Sequence, residues 1–95
     1  MPERSFFVLA YDIADDKRRA RIAKAMESTG ERVQGSVFEA YLEPLEFEKL
    51  LKRVKKVLDS AEDSLRIYRL CPSCRENIRT EGQGQATPPP GLMIV

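Results

Sequence analysis

The sequence predicts a single α+β domain with the element order β-α-β-β-α-β and an antiparallel sheet. Residues 6–13 form an almost wholly apolar run that is too short for a typical helix and typical of a buried central strand. Two later segments repeat apolar residues at helical spacing, and residues 65–70 alternate apolar and polar side chains. This order is the ferredoxin-like arrangement, in which two helices cover one face of the sheet. The other face also needs cover, and a second subunit is its simplest source.

The first strand leads into the first helix through two carboxylates, Asp15 and Asp16, which are favoured at a helix N-terminus. We expect this helix to run from about Asp16 to Thr29. Gly30 suits a left-handed C-terminal cap. The predicted apolar stripe of the helix consists of Ile22, Ala23 and Met26.

The next two strands and the second helix come from residues 32–58. Residues 32–42 are rich in Val, Phe and Tyr, and Gly35-Ser36 is expected to bend this segment or split it into two strands. Pro44 is suited to the first turn of the second helix. The predicted apolar stripe of that helix consists of Phe47, Leu50, Leu51, Val54, Val57 and Leu58.

The C-terminal segment differs from the rest in composition. We expect residues 1–79 to form the ferredoxin-like domain and residues 80–91, rich in Pro, Gly and Gln, to form an extended linker. Residues 92–95 are all apolar, and we predict that they add as a short strand to a sheet edge, that of the partner subunit. The alternative is a disordered tail.

Length and composition limit the class of protein. A chain of 95 residues buries little more than half of its unfolded surface, which favours a homodimer with a shared core. A formal net charge of +1 does not by itself indicate a nucleic-acid-binding protein. The sequence shows neither a membrane-spanning run nor a signal-peptide cleavage region, so we expect a cytoplasmic protein without a membrane partner. The chain has no His, which excludes imidazole as a base or metal ligand.

Two charged residues stand out near the first strand. Asp12 lies near the end of the most apolar strand, where a carboxylate is costly to bury without a partner. Its alternative role is to cap the next turn. Arg19 falls between Ile22 and Met26 on the predicted inward stripe, and Asp12 is the nearest candidate partner. Alternatively, the aliphatic part of the Arg19 side chain packs against the core while its guanidinium extends to the protein surface.

Cations of the first helix are offset by few acids and could line a phosphate-binding surface. We expect Lys17, Arg18, Arg21 and Lys24 to spread around its outer faces. In the second helix, Glu46 and Glu48 stand at helical spacing to Lys49, Lys52 and Arg53. These pairs favour a solvated face with salt bridges.

Cys71-Pro72-Ser73-Cys74 is a lone C-x-x-C motif. A tetrahedral zinc site needs four ligands, which two copies could supply only across a dimer axis. A redox pair would be favoured at a helix N-terminus, but no clear helix follows. An incidental turn is the remaining alternative.

Two segments together resemble a known family. Tyr11-Asp12-Ile13 ends the first strand, Arg18-Arg19 follows, and residues 32–39 have the form Arg-Val-Gln-x-Ser-Val-Phe-Glu. At this spacing, the segments resemble the smaller CRISPR adaptation protein, the Cas-two family, over residues 5 to about 70. By position, the residues that match the active-site region of the family are Tyr11, Asp12, Arg19, Arg21, Arg32 and Phe38.

The resemblance implies a ferredoxin-like homodimer that works beside the CRISPR integrase subunit in spacer acquisition and bridges DNA. It also implies a metal-dependent endonuclease on RNA or DNA, in which Asp12 and its symmetry mate hold Mg²⁺ or Mn²⁺. Asp12, Arg19 and Tyr11 would then be catalytic. Apart from the resemblance, the excess of cations on the first helix makes Arg18, Arg21 and Lys24, together with Arg32, the residues that we expect to bind nucleic acid.

Three hypotheses follow from these residues. The chain is a metal-dependent nuclease, or it is a non-catalytic bridge that holds DNA phosphates. The third hypothesis, apart from the resemblance, is a generic RNA-binding or regulatory module of the same fold. Such a module would expose aromatic rings on its open sheet, and Tyr11, Phe38, Tyr41 and Tyr68 are the only candidates.

Overall fold

A computed structural model describes residues 3–84 of the chain. It confirms the predicted element order and adds a short third helix. The elements are β1 (Ser5–Asp12), α1 (Asp16–Glu27), β2 (Glu31–Gln34), β3 (Val37–Leu42), α2 (Pro44–Val57), β4 (Ser64–Leu70) and α3 (Pro72–Glu76). The four strands form one antiparallel sheet in the order β2-β3-β1-β4. The predicted linker and C-terminal strand lie largely or wholly outside the described residues.

The two faces of the sheet have different surroundings. Strand β1 is central and pairs with β3 and β4, so that Phe6 lies opposite Tyr41 on one side and Leu70 on the other. Because side chains alternate along a strand, these three belong to one face. The opposite face carries Phe7 and Leu9 into the core beneath α1 and α2. We call the first of these faces, which α1 and α2 leave uncovered, the open face.

The core lies between the sheet and the two long helices. Phe38 and Leu9 from the sheet and Ile22 and Val54 from the helices are almost completely buried there. Phe7 stacks on Phe47 of α2, with ring centroids 4.4 Å apart. These contacts fix the relative positions of α1, α2 and the sheet, on which the charged surfaces depend.

Gly30 does not have the predicted left-handed conformation. Helix α1 ends with Ser28 in a right-handed conformation, and the only glycines with positive φ among residues 3–84 are Gly82 and Gly84. Gly30 is required for space instead. A Cβ at this position would lie 2.7 Å from the Glu39 carbonyl oxygen and 2.9 Å from Ala40 Cβ. The chain passes against β3 here, and only glycine permits that approach.

Helix α2 begins as predicted, with Pro44 in its first turn, but its predicted salt bridges are not formed. The carboxylate of Glu46 accepts a hydrogen bond from the Glu43 backbone N–H at 2.8 Å, as part of a capping box. It also lies 3.8 Å from Arg4 Nε. Glu46 therefore stabilises the start of the helix, and Lys49 and Lys52 form no ion pair within the described chain.

Helix α3 corrects a further expectation. The sequence indicated no helix after the Cys71-Pro72 step, but Pro72–Glu76 form one, with Cys71 as its N-cap. From this helix, Arg75 lies over the rings of Phe6 and Tyr41, with its Cζ 5.6 Å and 6.0 Å from their centroids. The helix therefore covers one end of the open face. No helix within residues 3–84 is long and apolar enough to cross a bilayer.

Candidate nucleic-acid interface

Asp12 ends β1 on the open face, where its carboxylate is exposed to solvent. It lies opposite Ser64 of β4, and Arg66 lies two positions further along the same face of that strand. Diagonal neighbours of this kind are about 7–8 Å apart. Asp12 forms no hydrogen bond or ion pair with any other residue of the described chain. It is therefore a free carboxylate beside an arginine at the edge of an uncovered sheet face.

A metal site at Asp12 cannot be completed by the described residues of one chain. Residues 3–84 contain no group of three or more acidic or cysteine side chains that could hold a metal ion. Mg²⁺ can be held by one or two carboxylates while it keeps several waters. Asp12 alone is a minimal donor set of this kind, and a second copy that brought its own Asp12 to the same place would provide two carboxylates.

The sequence had predicted that Arg19 points inward and pairs with Asp12. The structure shows neither contact. The Arg19 guanidinium lies at the end of β1, where Nη2 donates to the Ile13 carbonyl at 2.9 Å. Nη1 donates to Asp16 at 2.5 Å, and the side chain is 45% exposed. Arg19 thus braces the loop after Asp12, with part of its guanidinium accessible to solvent.

The inward arginine of α1 is Arg18, which the sequence had placed on the outer face. Its Nε donates to Asp63 Oδ2 at 2.8 Å, and Nη2 donates to Asp63 Oδ1 at 3.2 Å and to Glu62 at 3.0 Å. The buried residues of α1 are Ile22, Ala23, Ala25 and Met26, and Arg18 and Arg19 lie on either side of this face. The buried carboxylate of Asp63 lies on the Arg18 side, and this tertiary contact turns Arg18 inward.

Asp63 is the residue that sequence reasoning missed. Its side chain is fully buried, and it accepts hydrogen bonds from the backbone N–H groups of Ala14 and Asp59 at 3.0 Å and 2.9 Å. The Arg18 guanidinium, followed by these N–H groups, lowers the pKa of Asp63 well below its ordinary value of 3.8, although burial opposes the shift. The same pair raises the pKa of Arg18. A carboxylate directly before a strand was the only local signal of this role.

Tyr11 and Phe38 lie on the helix-facing side of the sheet, away from Asp12. Phe38 has no exposed surface, and Tyr11 is 5% exposed. The Tyr11 hydroxyl donates to the Gly35 carbonyl at 3.1 Å, which ties β1 to the β2–β3 turn. Both rings therefore pack the core, and Phe38 cannot contact a bound nucleic acid in this arrangement. A catalytic role for Tyr11 stays a prediction.

The cations of the helical layer surround a groove between α1 and α2. The groove has a volume of about 340 Å³. Its charged lining residues are Arg21, Lys24, Arg53 and Lys56. Within the described chain, none of these four forms an ion pair, and no acidic side chain lines the groove. We call this surface the basic groove.

The basic groove includes two cations that the sequence had assigned elsewhere. Arg53 was expected to pair with Glu46 or Glu48 along α2, but the packing of the helices directs it towards α1. Lys56, about one turn further along α2, was one of the cations of that helix that could add to a phosphate-binding surface, but a solvated face was the favoured interpretation of that helix. Sequence periodicity could not have joined them to Arg21 and Lys24, because the pairing of two helices is a tertiary contact.

Arg32 stands apart from both surfaces. It lies on the edge strand β2, where its Nη2 donates to Glu27 at 3.2 Å and its Cζ is 5.3 Å from the Phe38 ring centroid. Its side chain is 44% exposed. The predicted site residues are thus dispersed. Asp12 lies on the open face, Arg19 on the loop after β1, and Arg32 on this edge. Tyr11 and Phe38 lie in the core, Arg18 pairs with Asp63, and Arg21 and Lys24 line the basic groove.

The aromatic residues argue against a generic RNA-binding module. Single-strand RNA binders of this fold stack bases on exposed rings of the open sheet. Tyr68 is the only large aromatic side chain that is half exposed within the described chain. Tyr11 and Phe38 belong to the core, and Arg75 lies over the ring of Tyr41. One exposed ring does not form a stacking platform.

Comparison with known proteins places the chain among CRISPR proteins. A family model described as CRISPR associated protein Cas2 matches residues 5–78. A CRISPR-associated endoribonuclease Cas2 of Synechocystis sp. is 45% identical over 89 residues, which cover 94% of this chain and 97% of the relative.

Solved structures agree with the fold. The crystal structure of a hypothetical protein from Thermus thermophilus superposes with a TM-score of 0.78 at 40% identity, covering 86% of this chain and 95% of that chain. A chain of a partial Cas6-RT-Cas1–Cas2 complex superposes with a TM-score of 0.71 at 26% identity. That match covers 80% of this chain and 89% of the other.

Proposed function

The chain belongs to the CRISPR-associated Cas2 family, and on that premise we propose that it is a nucleic-acid-binding protein of CRISPR adaptation that bridges duplex DNA beside the integrase subunit. The observation that carries this proposal is the basic groove. Four cations from two helices converge there without an acidic partner in the described chain. Phosphates are the polyanions that such a surface binds without regard to sequence.

Arg18 is not one of the cations that we propose for phosphate binding. Its guanidinium is occupied by Asp63 and Glu62. Binding a phosphate would require Arg18 to leave Asp63 as a buried carboxylate without its cation, which is unfavourable. Arg21 and Lys24 have no such partner, and Arg53 and Lys56 extend the surface across α2.

Two lysines of α2 provide a matched test. Lys56 lines the basic groove, whereas its neighbour Lys55 lies on another side of α2, together with Leu45 and Lys52 of the same helix. Lys56→Glu should weaken binding to duplex DNA of random sequence at least tenfold at low salt, and Lys55→Glu should weaken it much less. Equal loss in the two variants, measured by fluorescence anisotropy, would assign the effect to net charge and reject the groove.

The integrase subunit and a second copy of the chain are the protein partners that we propose. Support for the first comes from the structural neighbour in a Cas1–Cas2 complex. The second copy would cover the open face, where Val8, Ala10 and Val37 are half-buried apolar residues without a helix above them. Burial of this face would add to the small core of one chain.

A second candidate function is phosphodiester hydrolysis, and the free carboxylate of Asp12 favours it. The relative from Synechocystis is named an endoribonuclease, and one from Thermus thermophilus, 48% identical over 65 residues, an endonuclease. In the proposed dimer, Asp12 of each copy would hold Mg²⁺ or Mn²⁺ at the open face. The bound ion would neutralise charge on the phosphoryl oxygens and orient a water.

The chain itself supplies the remaining groups. Arg66 on the same face as Asp12, and the accessible part of Arg19, would bind the non-bridging phosphate oxygens and stabilise their charge. The absence of His means that no imidazole accepts the proton of the attacking water.

Asp12→Asn tests the hydrolytic function. The variant preserves side-chain volume and should lose cleavage of labelled RNA and DNA in the presence of Mg²⁺, while it keeps duplex binding through the basic groove. Glu48→Gln is the control, because it neutralises an exposed carboxylate on α2, which covers the side of the sheet opposite to Asp12. Undiminished cleavage by Asp12→Asn would reject this function without affecting the bridging proposal.

A further inference from the structure

The two cysteines form a local cluster that neither proposed function uses. Cys71 follows β4 directly and is the N-cap of α3, and Cys74 lies in the first turn of that helix. The Cys74 backbone N–H donates to Cys71 Sγ at 3.4 Å, and the Ser73 hydroxyl lies 3.3 Å from the same sulfur. Both thiols are free and exposed.

The surroundings of the two sulfurs make them chemically unequal. Hydrogen bonds from the Ser73 hydroxyl, and then from the Cys74 backbone, lower the pKa of Cys71 to about 7. Conversely, the neighbouring Cys71 sulfur raises the pKa of Cys74. At neutral pH, the pair therefore has one sulfur with substantial thiolate character and one that holds its proton. An attacking and a resolving cysteine need this division.

Space for a reaction partner lies beside Cys71. A cavity of about 620 Å³ opens between the start of β1 and α3, and Cys71, Phe6 and Tyr41 are among the residues that line it. Because the Cys71 thiol is itself exposed, a low-molecular-weight disulfide can reach it in a single copy of the chain.

We propose that Cys71 and Cys74 are a reversible dithiol–disulfide pair, in which Cys71 attacks a low-molecular-weight disulfide such as oxidised glutathione and Cys74 resolves the product. The Cys71 thiolate attacks one sulfur of the oxidant, the S–S bond breaks, and one glutathione leaves as thiolate. Cys74 then loses its proton and attacks Cys71 Sγ, which releases the second glutathione. In total, the two cysteines lose two electrons and two protons, and the oxidant gains both.

A shared metal site is the competing use of the same thiols. Residues 3–84 contain no third acidic or cysteine side chain close enough to complete a metal cluster. Four thiolates would therefore require two copies. The redox pair is complete within one chain, and the observations favour it for that reason.

The test uses the full chain, equilibrated without metal in buffers of reduced and oxidised glutathione. Wild type should lose both thiols together and lose the mass of two hydrogen atoms, with no bound glutathione. Cys74→Ser should stop at a mixed disulfide on Cys71. Cys71→Ser, whose hydroxyl can still cap α3, should form a mixed disulfide much more slowly. Alkylation of Cys71 in the Cys74→Ser variant should be half-maximal well below pH 8.5, the ordinary range of a thiol.

Three results would overturn the proposal. Stable mixed disulfides on wild type would show that Cys74 does not resolve them. Disulfides between chains would show that the partner of Cys71 is not Cys74. Stoichiometric Zn²⁺ that survives gel filtration and protects both thiols from oxidised glutathione would assign the motif to metal binding. Each result is independent of DNA binding and cleavage, so the two proposed functions are not at stake.

Discussion

Arg18 Nε lies 2.8 Å from Asp63 Oδ2, although 45 positions separate the two residues in the chain. The contact joins the first turn of α1 to the residue that precedes β4. Asp63 also accepts a hydrogen bond from the backbone N–H of Ala14, in the loop that leads from β1 to α1. One buried carboxylate therefore fixes three segments around the end of β1, next to the exposed carboxylate of Asp12.

Asp63→Asn should destabilise the fold, because the amide leaves the Arg18 guanidinium without its buried anion. The folded pKa of Asp63 lies below its unfolded value. Its stabilising contribution is therefore complete above pH 5 and is lost as the pH falls below about 4. We expect the Tm difference between wild type and variant to be large at pH 7 and to shrink at acid pH. Glu62→Gln, which removes the exposed partner of Arg18, should lower Tm several times less. A pH-independent difference would contradict this account.

Gly30→Ala should lower the free energy of unfolding by about 1–3 kcal/mol, the usual cost of overpacking. The added methyl group meets the Glu39 carbonyl and Ala40 Cβ within 3 Å, and both belong to β3. Gly35→Ala is the control, because its Cβ meets nothing within 4 Å and its φ is not positive. Urea denaturation measures both variants. Equal losses of stability in the two variants would show that β3 moves to accommodate the added methyl group at position 30.

Asp12→Asn should leave stability within about 0.5 kcal/mol of wild type, because the carboxylate is exposed and has no partner in the described chain. If two copies share Mg²⁺ at this position, millimolar Mg²⁺ should raise the Tm of wild type and not that of the variant. Thermal unfolding with and without Mg²⁺ measures this directly. An equal shift in both proteins would place the ion elsewhere.

Phe38→Leu should destabilise the chain but preserve affinity for duplex DNA, because the ring lies in the core without exposed surface. Replacing a buried large side chain by a smaller one costs about 1–3 kcal/mol here, less than truncation to Ala. Chemical denaturation and DNA binding at low temperature separate the two properties. Loss of affinity in a fully folded variant would assign Phe38 to the interface.

Lys24→Gln should reduce the salt dependence of duplex binding. Each lysine–phosphate contact contributes about 0.9 to the slope of log K against log salt concentration. The control is Lys17→Gln, on the same helix but outside the basic groove. Its slope should stay close to that of wild type. Affinity measured between low and physiological salt gives both slopes.

Local patterns were sufficient for the elements of the fold. The alternation along β4 and the spacing of Leu50 and Val54 in α2 predicted the strand and the helix that the protein forms there. The Gly35-Ser36 turn divided β2 from β3 as expected. These predictions succeed because each depends on residues within one or two turns of the chain, where geometry is fixed by backbone periodicity.

The ends of the helices were predicted less well. Gly30 was correctly predicted to follow the first helix, but it was expected to adopt a left-handed conformation. Glycine is needed there because the chain passes close to β3, and this contact forms only in the folded protein. The short helix α3 was missed, since a single turn after proline carries no periodic signal.

The sequence by itself determined the order of strands and helices, the placement of Asp12 at the end of β1, and the family to which the chain belongs. Only the tertiary structure decided which arginine of α1 faces inward and which cations meet between α1 and α2. The reason is geometric. One residue along a helix turns a side chain by about 100 degrees, so Arg18 and Arg19 lie on either side of the buried face of α1, and the contact with Asp63 decides which of them turns inward. Their partners are then chosen by segments that come together only when the chain folds.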